Sequence, residues 1–445
     1  MFLVTGLGTR VQIPNHKDKD MCSERHLNQG SNFLARPLHR LWLVNRAHDL
    51  LSFFLPASIN SAGGFYALDQ KGAPIAAQEI FGELRSLHAT TRMVHCAVIG
   101  HQLGLPGADY AIDHGLDFLW SNHRDARAGG YFWTVNDLGA VDGAKMAYGH
   151  AFVLLAAASA KVVDHPDADR LLTDISQILQ DRFWDAKNGA ATEEYNQDWS
   201  VFSNYRGQNS NMHLTESLMA AYEATGDATY LTKATSIAEL IINRHARSQG
   251  WRVAEHFDPQ WNIDRDYKGD PMFRPYGLTP GHALEWARLL VQLWELGHRT
   301  HDWMLTAAKS LFIIACETGW DVVRGGFFYT LDWNNQPVFS DRFWWPCCEG
   351  IAAAAVLQKV SADPIFETWY RRIWSFASRH LIDPATGGWF AELDDNLTPV
   401  EKVFQGKPDI YHALQACLIP LLPTDGSLTK HLANTDYNDL VGAHP

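Results

Sequence analysis

Histidines, carboxylates and amides recur in this chain where stretches of apolar residues begin. His88 and Arg92 precede one such stretch, and Tyr148 and His150 a second. Asn209, Asn211, His213 and Glu216 open a third, and His282 and Glu285 a fourth. Trp345 and Glu349 open the fifth, and Asp409, Tyr411 and His412 the sixth. One polar residue at the head of a buried helix is usually a cap, and caps are Ser, Thr, Asp or Asn. Histidine at five of six heads needs another reason. Its imidazole titrates near neutrality, so it can both take and return a proton. Arginine or a second histidine beside it would steady an oxyanion formed on the way. The set points to proton transfer on a small polar molecule, and aromatics such as Trp345 suit the ring faces of a sugar.

Other readings of the same residues stay open. His213/Glu216 and His282/Glu285 stand three residues apart on one helical face, as hydrogen-bonded pairs or as metal ligands. No HxxxH or HExxH motif and no cysteine cluster accompanies them, so no metal is expected. Glu216, Glu285 and Glu349 could supply the carboxylate pair of a glycoside hydrolase. A sugar-binding protein without catalysis would need no group of histidines. The excess of histidine at the helix heads favours an acid/base enzyme over both. His95, His101, His114, His123 and His165 have no convergent partner and read as core or surface residues.

The elements that must position these groups repeat. Gly63-Gly64-Phe65-Tyr66, Gly129-Gly130-Tyr131-Phe132, Gly325-Gly326-Phe327-Phe328 and Gly387-Gly388-Trp389-Phe390 are copies of one motif. Gly189-Ala190 and Gly250-Trp251 are degenerate copies. Taken at positions 64, 130, 190, 250, 326 and 388, the spacings are 66, 60, 60, 76 and 62. Each motif reads as a tight turn and a short extended stretch, because glycine supplies positive φ and aromatics favour β. An amphipathic helix precedes it, as in 110–120, 170–183 and 230–244. A helix apolar nearly all round follows, over 90–103, 145–161, 211–224, 281–296, 348–360 and 409–421. Helices apolar on every side belong inside, with their amphipathic partners covering them. Six such hairpins predict an all-α fold, a closed (α/α)6 toroid whose inner helices present their polar heads at one mouth. An open solenoid would need polar capping repeats, and none is evident.

Composition narrows the partners. The formal net charge of −13 disfavours nucleic acid. No apolar run approaches the roughly 18 residues of a membrane span, and residues 1–8 are too short for a secretory signal. Six cysteines without regular spacing read as free thiols, so a cytoplasmic location is expected. Residues 1–35 read as a poorly ordered extension, within which Met21 could be the natural start. Residues 36–424 read as the barrel and 425–445 as a similar tail.

Four segments carry a family resemblance: Thr91-Arg92-Met93, Asn209-Ser210-Asn211-Met212-His213, Gly281-His282-Ala283-Leu284-Glu285-Trp286 and Lys407-Pro408-Asp409-Ile410-Tyr411-His412. In this order they resemble the N-acylglucosamine 2-epimerase superfamily, nearest its mannose isomerase and sulfoquinovose isomerase branch, over about residues 41–423. The resemblance implies a barrel enzyme without metal or redox cofactor. It implies an aldose–ketose isomerase acting on a monosaccharide, D-mannose with D-fructose or D-lyxose with D-xylulose, through a cis-enediol. His412 would be the principal acid/base and His282 the second. Arg92, Asn209, His213 and Glu285 would surround the sugar; the helix-head pattern, not the resemblance, adds His88, Glu216, Trp345 and Glu349 as binding candidates. Sulfoquinovose isomerisation and 2-epimerisation stay open, as does a monomer or a homo-oligomer.

Overall fold

The computed structural model describes residues 32–75 and 84–442, so most of the N-terminal extension lies outside the described residues. Its last residues, Phe33–Ala35, form a 3-10 turn capped by the Asn32 side chain, with Leu34 buried. The chain then enters an outer helix, α1 (Pro37–Ser58), and reaches the first inner helix, α2 (Leu87–Gln102). Outer and inner helices alternate from there: α3 (Ala108–Phe118), α4 (Ala147–Val162), α5 (Ala168–Ile178), α6 (Gln208–Thr225) and α7 (Ala228–Ala238). The series continues with α8 (Pro280–Leu296), α9 (Asp302–Gly319), α10 (Trp344–Val360), α11 (Ile365–Phe376) and α12 (Tyr411–Leu418). In α4 every residue from Ala147 to Ala160 is buried, because its run of alanine with Val, Leu and Phe can pack on all sides. Helix α12 starts two residues later than expected, since the Asp409 carboxylate accepts the Tyr411 amide 3.1 Å away. It turns 3-10 at Ile419–Leu421, where Pro420 has no amide hydrogen to continue the ladder.

Each Gly-aromatic motif forms the turn that follows an outer helix. Asp125 shows how. Its carboxylate accepts the amides of Arg127 and Ala128, and its backbone closes on Gly129 and Gly130. Gly130 has φ +73°, and a Cβ there would stand 2.7 Å from the Trp199 ring. Asp185, Asp321 and Asp383 repeat this turn, with Asn60 in the first copy. Just before an inner helix, a buried cation binds it: Lys145 to Asp125 at 3.0 Å and Arg342 to Asp321, each two residues ahead of the helix, and Lys407 to Asp383 at 2.6 Å, four residues ahead. Arg85 donates instead to the Gly63 carbonyl, 3.0 Å away.

The same positions tie each repeat to the next by antiparallel pairing. Arg85 pairs with Val135, Lys145 with Tyr195, Arg206 with Phe257, Leu278 with Leu331, and Arg342 with Leu393. The sixth pairing is Leu68 with Lys407, which joins the first repeat to the last. Helix α1 also packs on α12. The ring is closed, and the solenoid alternative is excluded.

The tail departs from expectation. Helices α13 (Leu428–Leu432) and α14 (Tyr437–Val441) fold under the end of the barrel opposite the inner-helix N-termini, burying Leu428, Leu432, Leu440 and Val441. Gln102 and Gln292 donate to the carbonyls of Thr429 and Gly426, at 2.8 and 3.1 Å. The leucines lack helical spacing over any useful length, so only the apolar base of the barrel makes them a core.

Candidate active site

The N-terminal ends of the inner helices converge on a cavity of about 340 Å3. His88 and Arg92 reach it from α2, Tyr148 from α4, Asn209 and His213 from α6, and His282 and Glu285 from α8. Trp345 lines it from α10 and Asp409 and His412 from the head of α12. The long connection before α8 adds Met272 and Phe273, which accounts for the one wide repeat spacing.

Two imidazoles face this space, each held from behind by a buried carboxylate. Nδ1 of His412 lies 2.7 Å from Oε1 of Glu349, and Nδ1 of His282 lies 2.9 Å from Oε2 of Glu255. An ionised carboxylate only accepts, so Nδ1 carries the hydrogen and Nε2 keeps its lone pair toward the cavity. Burial opposes the charge on Glu349, but Arg288 and His412 hold its pKa below the usual carboxylate value. Burial opposes ionisation of Glu255 too, and its contacts with His282 keep it low. Burial lowers the pKa of His412 despite Glu349, so this imidazole is a neutral base at pH 7. Trp345 lies between the two, with ring centroids 5.8 Å from His412 and 5.0 Å from His282.

The remaining lining groups are neutral or already paired. Burial pushes His88 and His213 down to about 3, leaving both neutral. His88 stacks on Trp133 at 5.2 Å, and its Nδ1 is a buried atom without a partner. Asn209 Oδ1 is likewise free for a hydroxyl. Arg92 donates to Asp409 at 3.0 Å and to the Tyr148 hydroxyl at 2.9 Å, over the Phe152 ring at 4.4 Å.

Two candidate residues do not line the cavity. Glu349 is wholly buried behind His412. Glu216 lies deeper in the barrel, where it accepts from Arg288 at 3.1 Å and from the Tyr411 hydroxyl. Neither can touch a sugar in the cavity; each acts through a neighbour. His150 is a further correction. It stands at the fourth position of α4 and turns away from the cavity, accepting the Tyr131 amide at 3.1 Å while its Nδ1 binds the Met146 carbonyl at 2.7 Å. It is a clamp on the Gly-aromatic turn. Asn211, fourth in α6, does the same for Ala191.

Glu255 and Arg288 are absent from the sequence-derived candidates. Glu255 had a signal: like Glu193 and Glu392 it follows its Gly-aromatic motif by a few residues, and all three are buried. Arg288, a charge inside the apolar run Trp286–Val291, had one too.

The sequence profile of the N-acylglucosamine 2-epimerase (GlcNAc 2-epimerase) family matches residues 63–416. The chain belongs to this family. Within the family it is similar to a D-mannose isomerase of Pseudomonas cannabina pv. alisalensis, 42% identical over 91% of this chain and 98% of that one. A D-mannose isomerase of Thermobifida fusca is 41% identical over 90% of this chain and 98% of that one. A solved D-mannose isomerase superposes with a TM-score of 0.80 at 31% identity, covering 86% of this chain and 97% of that chain. The cellobiose 2-epimerase of Bacillus thermoamylovorans B4167, with a TM-score of 0.75 at 18% identity over 86% of this chain and 98% of that chain, shares the barrel. The closed ring of hairpins described above is therefore the epimerase-family (α/α)6 fold.

Proposed function

We propose that the chain is an aldose–ketose isomerase that interconverts D-mannose and D-fructose. The observation that carries this reading is the pair of carboxylate-backed imidazoles facing one aromatic-walled cavity at the barrel mouth. The two relatives above 40% identity, both named D-mannose isomerase, support it. Nε2 of His412 takes the proton from C2 of the open-chain aldose. The electron pair forms the C1–C2 double bond and the C1 carbonyl becomes an enediolate oxygen. That oxygen gains a proton, the C2 hydroxyl loses its own, and His412 returns the first proton to C1, leaving a ketone at C2. The charge is met by Arg92 and by the inner-helix N-termini, whose dipoles present positive ends to the cavity. His282, with Glu285 beside it, serves ring opening.

A cavity of about 340 Å3 is at the small end for ligand sites and suits one sugar ring. The described arginines and lysine that line it are already paired: Arg92 with Asp409, Arg85 with Asp137 and Lys407 with Asp383. That favours a neutral hexose over a sulfonated one. Two clusters, His213/Glu216/Glu285 and Glu285/Glu349/His412, have ligand atoms close enough to hold a metal. Arg288 already contacts all three of their glutamates, so a divalent ion would face a buried cation. Activity is expected to survive exhaustive chelation.

The test is product identity by NMR from mannose, fructose, lyxose, sulfoquinovose and N-acetylmannosamine. Mannose made from fructose in D2O should carry some deuterium at C2, since the imidazole N–H can exchange with solvent between the two half-transfers. His412→Ala should lose roughly 10²–10⁴-fold in kcat while keeping its sugar affinity. A folded His412→Ala protein with near-normal turnover would falsify the assignment.

A further inference from the structure

Below the two imidazoles the barrel is crossed by a single buried guanidinium. Arg288 projects from α8, with Nε 2.9 Å from Glu349 of α10 and one terminal nitrogen 3.1 Å from Glu216 of α6. Its other terminal nitrogen is 3.5 Å from Glu285, one turn earlier on α8. The remaining groups facing this point are His213 from α6, Tyr411 and His412 from α12, and Arg92 and His95 from α2. Arg92 is already matched by Asp409. That leaves three carboxyl groups and one cation, all out of water, so one carboxyl must keep its proton.

We propose that Arg288 is a positioning residue that decides which one: it holds Glu349 and Glu216 as carboxylates and leaves Glu285 as a neutral acid facing the sugar. The contacts distinguish the three. Glu349 accepts from Arg288 and, at 2.7 Å, from His412, so both its oxygens are engaged by donors. Glu216 accepts from Arg288 and from the Tyr411 hydroxyl. Glu285 has only the longest guanidinium contact, and its nearest imidazole atom is the unpartnered Nδ1 of His213 at 3.5 Å, a site that can accept a proton's hydrogen bond. Burial together with the charge of Glu349 pushes the Glu285 pKa well above the ordinary carboxylate value, in agreement with the geometry. One arginine thus supplies opposite states on two sides. An ionised Glu349 keeps His412 basic, and a protonated Glu285 can donate to a ring or carbonyl oxygen. Gln292 steadies the guanidinium at 3.3 Å and is itself tied to the Gly426 carbonyl, which links the tail to this balance.

The location of the protons stands on geometry, whereas their use in ring opening rests on the isomerase reading. Infrared difference spectroscopy of the whole enzyme without substrate separates the two. Burial also pushes Glu193 and Glu223 up to about 7, so the readout is the difference between wild type and Glu285→Gln: at pH 7 it should contain a buried protonated carboxyl band that shifts in D2O. Arg288→Met should gain one protonated carboxyl over the wild type. It should also lose about 10²-fold in kcat, with KM moving less and the acid limb of the profile displaced to lower pH. Arg288→Lys keeps the charge, and should restore the wild-type bands and part of kcat; if Arg288→Met does not fold, Lys and Glu285→Gln carry the test. A Glu285→Gln spectrum identical to the wild type, or a folded Arg288→Met with no added protonated carboxyl and a wild-type pH profile, overturns the proposal. Absence of mannose turnover in a wild type showing the expected bands would sink the isomerase reading and leave Arg288 in its role.

Discussion

At neutral pH the Nδ1–H of His412 meets an ionised Glu349, and this contact sets both the tautomer and the basicity of the Nε2 lone pair. Because burial keeps the imidazole pKa below 6.5, the neutral base persists on mild acidification. The acid limb of kcat/KM should therefore lie below the range of an ordinary histidine, read from initial rates between pH 4 and 9. Glu349 acts in the raising direction, so Glu349→Gln should move that limb to still lower pH. The plateau should drop by roughly 10²-fold, as the amide can no longer favour the imidazolium or hold one tautomer. A Glu349→Gln enzyme whose limb moves upward would contradict this wiring. His282 and Glu255 repeat the arrangement across Trp345, and which pair limits the rate is readable from whether a ring-open substrate rescues His282→Ala but not His412→Ala.

The turns and helix heads divide the labour differently from the way residue types alone suggest. The motif spacing made six hairpins legible, since double glycine followed by an aromatic has one local solution, a tight turn entering an extended stretch. The apolar inner helices were legible for the same kind of reason. What spacing could not give was direction. His150 and His213 head neighbouring inner helices, yet they sit at the fourth and sixth positions, and less than one turn sends one outward and the other into the cavity. Nor could it show that Glu349 reaches the cavity only through His412, or that Glu255, just ahead of the short strand His256–Phe257, backs a histidine on α8. Those depend on which repeats the closed ring makes adjacent. His150→Ala should therefore cost stability and spare chemistry: a lower thermal midpoint, corresponding to roughly 1–3 kcal/mol, with kcat near normal for the folded fraction. Lys145→Met strands the Asp125 carboxylate among buried groups and should cost about 3–5 kcal/mol in urea unfolding. A wild-type midpoint in either variant would show that the turn is held by something else.

The whole molecule is a ring in which the last bridge, Leu68 with Lys407, repeats the five before it. No described helix is long and apolar enough to cross a membrane. Linear stacks of repeats lose their end units first, because a terminal repeat has one neighbour instead of two. A closed stack has no terminal repeat. Opening any one hairpin must break two interfaces, so exchange of the slowest amides should be nearly uniform among the six inner helices, with no gradient from chain start to chain end. Lys407→Ala would cut the ring at one place, freeing Asp383 and loosening the seam. Hydrogen exchange followed by mass spectrometry should then show protection decaying outward from α6 and α8, the helices farthest from the cut, toward α1 and α12. On that expectation the ring fluctuates as one unit and holds His282 on one repeat and His412 two repeats away in fixed relation, while the described cysteines stay free thiols.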